Sequence, residues 1–482
     1  MTIFTIPRID KRINVLGAEL AGIRVYQYAL LTAIIVLAGV LRFYRLGDWS
    51  FWVDEANTVR KALDLARYDL ASRPISLTLI HAVLSAWGVN EWNSRLVPAL
   101  IGVASIPILY FPVRKLAGPA VALVSVLLLA VSPWHLYWSQ NARFYSSLLL
   151  FYTLGLLTFY FGLEEDRPGY LLASLVLFGL AFWERETAVL FMPVVLAYLI
   201  LLWILPIEKP RGLHWRNLAL FFGLGAFLGL IAVTPYLRQP SQWLQAFGWI
   251  GYVSSTPFRI LSGVAFYIRL SAMCMAMAGM IYLWRQRHRA ALFLGLGAWI
   301  PLLVIALLSP FLYTAGRYAL ISLPSWLILA SVAAVELIRH IPRSARILAI
   351  GVLFFLWLDP ISEDVLYYKY QNGNRENWKE AFQLVRQKRK PGDLIVSRHR
   401  RLGDYYMQES TLGFEQVDLS SIKQSKVRVW FVEDADGKVK FPQVHHWIQE
   451  NTRLISDFST DISIHGRNYQ VRVFLYDPQT RP

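Results

Sequence analysis

Apolar and polar positions along this chain fall into long blocks. Over the first three quarters, apolar runs recur at the length of roughly 17–25 residues that carries a helix across a bilayer. Eleven spans are predicted, at 26–41, 96–113, 120–138, 146–163, 170–183, 187–204, 218–234, 261–284, 291–308, 318–338 and 347–358. The first two are separated by a long polar stretch, 43–95. Within it Ala56, Val59, Ala62, Leu63 and Ala66 recur at helical spacing opposite Arg60, Lys61, Asp64 and Arg67, which predicts an amphipathic helix lying on the membrane surface. At Asp359–Pro360 the pattern turns polar. Trp378, Ala381, Phe382 and Val385 then have helical spacing, 393–396, 427–432 and 469–476 read as strands, and His446–Trp447–Ile448 sits in a further helix. The expected fold class is an all-α polytopic membrane protein of about eleven transmembrane helices. It comprises a membrane domain at 1–358, with a first outer loop at 43–95, and a small soluble α/β domain at 359–482.

Composition supports the membrane reading. The chain is 56% hydrophobic, against about 45–50% for soluble domains. Its net charge of +16 raises nucleic acid as a partner, but the basic residues sit mostly in short loops between apolar runs, so nucleic acid is not expected. The N-terminal leader, Arg114–Lys115, Arg167, Lys209–Arg211–Arg216, Arg285–Arg287–Arg289 and Arg339–Arg343–Arg346 all fall on one side. The positive-inside rule makes that side cytoplasmic. With an odd number of spans the C-terminal domain lies outside the cytoplasm, in a multi-pass protein of the plasma (inner) membrane. The single cysteine, Cys274, permits neither an intrachain disulfide nor a Cys-only metal site. The basic leader and first apolar run read as a signal anchor. No catalytic motif is visible in the C-terminal domain, which reads as a lid, docking module or stabiliser.

The outer ends of the spans carry the candidate chemistry. Asp54 and Glu55 follow Trp49, Phe51 and Trp52, aromatics suited to the interface. As an N-terminal pair on a helix they can simply complement its dipole; at a boundary between water and lipid they can act as base and partner. Arg73, Arg95, Arg143, Arg185 and Arg317 all lie at outer ends. Each either snorkels to the interface or faces a cavity or anion. His81 and His135 are not spaced as a ligand pair. The segment 235–259 holds Tyr236, Trp243, Phe247, Trp249 and Tyr252, an anchor or a lid.

Several short motifs recur in order at the outer ends. They are Asp54-Glu55, Arg73-Pro74, Ser94-Arg95-Leu96, Ser132-Pro133, Ser139 to Tyr145, Glu184-Arg185-Glu186-Thr187 with Pro193, and Arg317-Tyr318 with Pro324. In this order the chain from Arg42 to Pro324 resembles the bacterial branch of the dolichyl-phosphate-mannose–protein mannosyltransferase family (glycosyltransferase family 39-like), within the GT-C glycosyltransferases and related to the lipid A aminoarabinose transferase.

The resemblance implies a GT-C fold and transfer of a sugar from a polyprenyl-phosphate donor to an acceptor hydroxyl, with inversion. Asp54 matches the acidic position assigned as catalytic and Glu55 its partner. The five arginines would hold the donor phosphate, and Tyr145, Glu184, Glu186 and Tyr318 would line the substrate. Arg73 stands where relatives carry Lys or His, and Arg185 where many carry Lys. Arg143 matches a position at which the aminoarabinose transferase has an acid, and Ser72 one at which it has an acidic metal ligand. No cofactor is therefore expected, and a divalent metal is not supported. The partners implied are the lipid-linked donor, a glycan, lipid or protein acceptor, and membrane lipid. Two other classes stay open on the residues alone: a flippase or transporter of a lipid-linked saccharide, and a non-catalytic membrane scaffold. A transporter built of paired halves would show an internal repeat, and none is visible.

Overall fold

A computed structural model describes residues 9–67, 74–237, 255–425, 427–460 and 469–479. Its helices in chain order are α1 (Ile9–Phe43), α2 (Val53–Leu63), α3 (Ile75–Trp87), α4 (Glu91–Ala117), α5 (Pro119–Ala130), α6 (Pro133–Ser139), α7 (Tyr145–Glu164), α8 (Pro168–Glu184), α9 (Phe191–Ile204), α10 (Trp215–Leu237), α11 (Pro257–Ile268), α12 (Leu270–Arg285), α13 (Ala290–Leu308), α14 (Leu323–His340) and α15 (Arg346–Lys369). Every predicted apolar run falls on helical structure, with 120–138 and 261–284 each divided between two helices and 187–204 and 318–338 each opening in a 3-10 turn. By length and hydropathy, however, seven described helices are long enough to cross a membrane, or up to nine if each bent pair is one span. The remaining two runs fall on Pro168–Glu184 and Trp215–Leu230, both shorter apolar helices. The 17 residues of α8 extend about 25 Å at the usual helical rise, short of a ~30 Å hydrocarbon core. By length and composition, seven to nine of the eleven expected spans are shown among the described residues.

Both bends have local causes. Between α5 and α6 the axis turns by 59°. Ser132 caps α6 by accepting from the His135 N–H, and Pro133 takes the first helical position, where its missing N–H costs nothing. The exposed C-terminal carbonyls of α5 are met by Arg42, which is fully buried and donates to Ala130 O at 2.9 Å and Leu129 O at 3.3 Å. Between α11 and α12 the axis turns by 86° at Arg269, whose φ is +76°. There Arg269 pairs with Glu363 of α15 at 3.0 Å. Close packing of α12 on α14 depends on Gly279: a Cβ there would stand 1.9 Å from the Leu329 carbonyl oxygen.

The two ends of the bundle differ in charge chemistry. At one end basic side chains meet acids: Lys115 with Glu165 at 2.6 Å, Arg289 with Glu164 at 2.5 Å, and His214 with Asp166 at 2.8 Å. The other end carries α2, the α6–α7 turn and the α8–α9 turn.

The sequence boundary at 358/359 does not end a helix. α15 runs through Pro360 to Lys369, and the α/β unit starts at α16 (Trp378–Lys388). It continues through β1 (Leu394–Ser397), α17 (Arg400–Met407), β2 (Leu412–Gly413), α18 (Leu419–Ser425), β3 (Val429–Asp434), α19 (Gly437–Lys440), α20 (Pro442–Asn451), β4 (Arg453–Phe458) and β5 (Val471–Tyr476). The sheet order is β2-β1-β3-β5-β4. β1 lies parallel to β2 and β3, while β5 lies antiparallel to β3 and β4. β3 is buried on both faces over its first five residues, and its first four, Val429 to Val432, form a continuous apolar run as such a strand requires. The edge strand β4 has no such run, and the sequence reading missed it.

α2 is where the sequence reading needs its main correction. The Ala56, Val59 and Ala62 part of its apolar stripe is buried against protein, while Leu63 and Ala66 stay exposed. Ala56, Val59 and Ala62 join Phe51, Leu77 and Ile80 in one core with Trp378, Phe382, Trp430, Val471 and Val473 of the α/β unit. The outer loop and the C-terminal unit therefore share a hydrophobic core. An amphipathic stripe is equally satisfied by lipid or by protein, and periodicity does not distinguish them.

Candidate active site

Asp54 and Glu55 both lie in the first turn of α2, but successive helical residues point about 100° apart, and their surroundings are opposite. Glu55 is fully buried. Arg95 donates to it through Nε and Nη2, both at 2.8 Å, as a two-pronged pair. Arg375 Nε approaches the same carboxylate at 3.3 Å, and the Ala142 N–H donates to Oε1 at 2.8 Å. Burial alone pushes the Glu55 carboxyl up. The two guanidiniums and the hydrogen bonds outweigh it and hold the group below its ordinary range.

Arg95 has no donor left over. Its remaining hydrogens go to the carbonyls of Leu46, Trp49 and Ser50 at 2.9–3.0 Å. Arg375 donates to Gly373 O at 2.6 Å and Gln140 O at 2.7 Å. The Gln140 side chain donates in turn to the carbonyls of Leu41, Arg42 and Tyr44 and accepts from Tyr367. Arg95 and Glu55 are thus built into the frame of the loop, with every Arg95 donor taken by protein. Arg375 and Gln140 complete that frame, and no motif announced Arg375.

Three consecutive residues of the α6–α7 turn grip the start of α2. Asn141 accepts from Trp52 Nε1 at 2.7 Å, Ala142 donates to Glu55, and Arg143 donates to Thr58 Oγ1 at 2.9 Å and to the Asp54 carbonyl at 3.3 Å. The Asp54 carboxylate, 31% exposed, lies 3.8 Å from Arg143 Nη2.

Around Asp54 the arginines gather. Arg143 and Arg185 both stand over the Phe144 ring, at 4.8 and 5.5 Å from its centroid. Arg185 and Arg317 both stand over Tyr318, at 5.7 and 5.6 Å. Two aromatic rings therefore space three guanidiniums that would otherwise repel. Tyr145 is buried within electrostatic reach of all three, and Asp54 acts on Arg317. Lys61, two turns along α2, feels Arg143 and Arg185; burial first, and these cations next, lower its affinity for a proton. The nearest carboxylates are Asp54 and Glu186; the latter is 77% exposed and 3.2 Å from Arg185 Nε. Beside Arg317 opens a cavity of about 390 Å³, lined also by Trp52, Tyr137, Tyr267, Tyr313 and Arg259.

The other candidates lie elsewhere. Glu184 is buried away from this cavity and accepts from Ser76 N at 3.0 Å and Ser76 Oγ at 2.7 Å, meeting the free donors at the start of α3. Arg73 and most of the aromatic segment 235–259 fall outside the described residues. His81 donates to the Ala62 carbonyl and His135 accepts from Arg42, each at 2.7 Å. Among the described residues no three His, Cys, Asp or Glu side chains converge. Phe144 and Lys61 are additions that only the fold reveals.

Residues 72–238 match the family model described as dolichyl-phosphate-mannose-protein mannosyltransferase. No curated protein matches the chain in sequence. Among solved structures, ArnT from Cupriavidus metallidurans bound to undecaprenyl phosphate superposes with a TM-score of 0.61 at 15% identity, covering 94% of this chain and 98% of that one. The Archaeoglobus fulgidus oligosaccharyltransferase in its apo form gives 0.58 at 11% identity, covering 86% and 70%. The arabinofuranosyltransferase AftD from Mycobacteria gives 0.52 at 15%, covering 94% and 40%. The fold is the GT-C fold. Over residues 72–238 the chain is similar to that mannosyltransferase family, and over nearly its whole length it shares the fold of these solved structures.

Proposed function

We propose that the protein transfers a sugar from a polyprenyl-phosphate donor to an acceptor hydroxyl, with Asp54 as general base. The observation that carries this reading is the trio Arg143, Arg185 and Arg317, spaced by Phe144 and Tyr318, beside a half-buried Asp54. Three cations with so little opposing charge suit an anionic group, and the planar fork of Arg suits phosphate oxygens. Asp54 takes the proton of the acceptor hydroxyl as its oxygen attacks the anomeric carbon. The C–O bond to phosphate breaks on the opposite face, so configuration inverts and polyprenyl phosphate leaves with the bonding pair. The arginines stabilise that leaving charge. The match to a mannosyltransferase model and the likeness to a structure holding undecaprenyl phosphate support the donor class. The arginine end faces away from the cytoplasm, the paired basic end and the N-terminus face it, and the two short helices bring the crossings to eleven.

The test is transfer from a radiolabelled polyprenyl-phosphate sugar in membranes, comparing wild type with Asp54→Asn. Turnover should fall by about a hundredfold, the scale of a lost general base, with donor binding retained. Undiminished turnover in the variant, or lipid-linked sugar translocated but never transferred by wild type, overturns the assignment.

A further inference from the structure

A second cleft, of about 510 Å³, opens between α2 and the C-terminal unit. Val53, Asn57 and Arg60 of α2 form one wall, and Arg398, His399, Arg400, Arg401, Leu402, Asp404 and Glu415 form the other. Four arginines face two carboxylates. Asp404 is already engaged: its Oδ1 accepts from Thr411 N at 2.7 Å and Thr411 Oγ1 at 2.9 Å, and Arg400 lies 3.5 Å from Oδ2. Arg398 is held towards Asp434 at 4.0 Å and over Phe441. His399 pairs with the same Asp434 at 2.8 Å. Arg401 donates to the neutral side chain of Asn57. Among the described residues neither Arg401 nor Arg60 forms an ion pair with a carboxylate.

The cleft adjoins the candidate active site. Val53 lines it, while the next residue, Asp54, faces Arg143. Lys61 lies between the two groups, within electrostatic reach of Arg143 and Arg185 on one side and Arg60 and Arg401 on the other. A band of positive potential therefore runs from the arginine trio across α2 into the cleft. Like charges lining a concave site focus the field outward and favour an anion there. Planar guanidinium forks favour an oxyanion over a diffuse charge.

We propose that this cleft anchors the acceptor, and that the acceptor carries an oxyanion, a phosphate or carboxylate, within one helical turn's reach of the hydroxyl presented to Asp54. The proposal rests on the transferase reading and names its acceptor class. Arg60 and Arg401 are the principal contacts. Arg400, steadied by Asp404, Gln416 and Ser410, forms the cleft's side. The oxyanion has two possible sources, an anionic lipid headgroup or a soluble acidic saccharide.

The experiment uses the full chain in phosphatidylcholine nanodiscs, with glucose 6-phosphate as probe, glucose as neutral control, and calorimetry as readout. Glucose 6-phosphate should bind and glucose should not. Arg60→Gln and Arg401→Gln should each weaken the probe by about tenfold, the scale of a charge-assisted contact, and Arg401→Lys by less. Their thermal unfolding should stay at the wild-type temperature, since Arg60 and Arg401 are exposed. Phosphatidylglycerol in the nanodisc should compete if the bilayer supplies the oxyanion and leave binding unchanged if a soluble saccharide does; both results keep the assignment. Equal binding of glucose, or unaltered probe affinity in both Gln variants, overturns it. The transferase reading fails separately: a wild type that binds the probe but never turns over the labelled donor leaves the cleft in place and removes the reaction.

Discussion

Two charge clusters lie side by side at one end of this molecule, one built on Glu55 and the other on Asp54. In the first, Arg95 and Arg375 enclose Glu55, all three are essentially inaccessible, and nearly every donor has an acceptor. In the second, three arginines share a partly exposed Asp54 and an exposed Glu186, and Arg143 Nη2 lies 3.8 Å from the Asp54 carboxylate. The residue types are the same and the acids are adjacent in sequence. A fully satisfied buried cluster has nothing to offer a ligand and holds the chain in one arrangement. An under-satisfied cluster beside a cavity is complete only when an anion arrives. The difference separates scaffold from site without reference to any relative.

Breaking the scaffold should cost most. Glu55→Ala leaves two buried guanidiniums without their anion and should destabilise the fold by about 3–5 kcal/mol, read from denaturant or thermal unfolding in detergent. Asp54→Asn should leave that unfolding profile unchanged while turnover falls by about a hundredfold; equal loss of stability in both variants would erase the distinction. Next, Arg317→Gln and Arg143→Gln should each weaken binding of undecaprenyl phosphate by about tenfold or more, a charge-assisted contact being worth roughly 1.5–3 kcal/mol, whereas a folded Arg95→Gln variant should bind it as wild type does.

A smaller effect tests the junction that carries Arg375. Gly373 has φ +62°, and a Cβ there would meet Trp49 Cγ at 2.7 Å and Arg375 Nη1 at 2.8 Å. Gly373→Ala should cost about 1–3 kcal/mol, visible as a lower unfolding temperature.

The mildest probe is pH. The carboxyl of Glu55 is held below its ordinary value of 4.5. Its contribution is therefore complete above about pH 4.5 and is lost as pH falls through the lowered value. Unfolding temperature should drop with acid below pH 4.5, and Glu55→Gln should flatten that particular drop.

The helices were legible because a bilayer-length apolar run is a local property. So was the gathering of Arg143, Arg185 and Arg317 at one end, since each follows from counting span ends. Legibility stopped where one local pattern has two physical outcomes. The α2 stripe fits lipid or protein, and it meets the core of the C-terminal unit. A short apolar helix such as α8 does not say whether it crosses. Arg95 and Arg143 look alike as span-end arginines, yet one is consumed by Glu55 and three backbone carbonyls.

Hydropathy and the placement of charge, both readable along one dimension, settled the helical architecture and the end of the bundle where Arg143, Arg185 and Arg317 gather. Tertiary structure alone decided which acid is free. That choice depends on Arg375, which lies 320 residues from Glu55 in sequence, and on the packing that excludes water from one carboxylate and leaves its neighbour partly exposed. Pairing and desolvation act through space, and no periodicity records them.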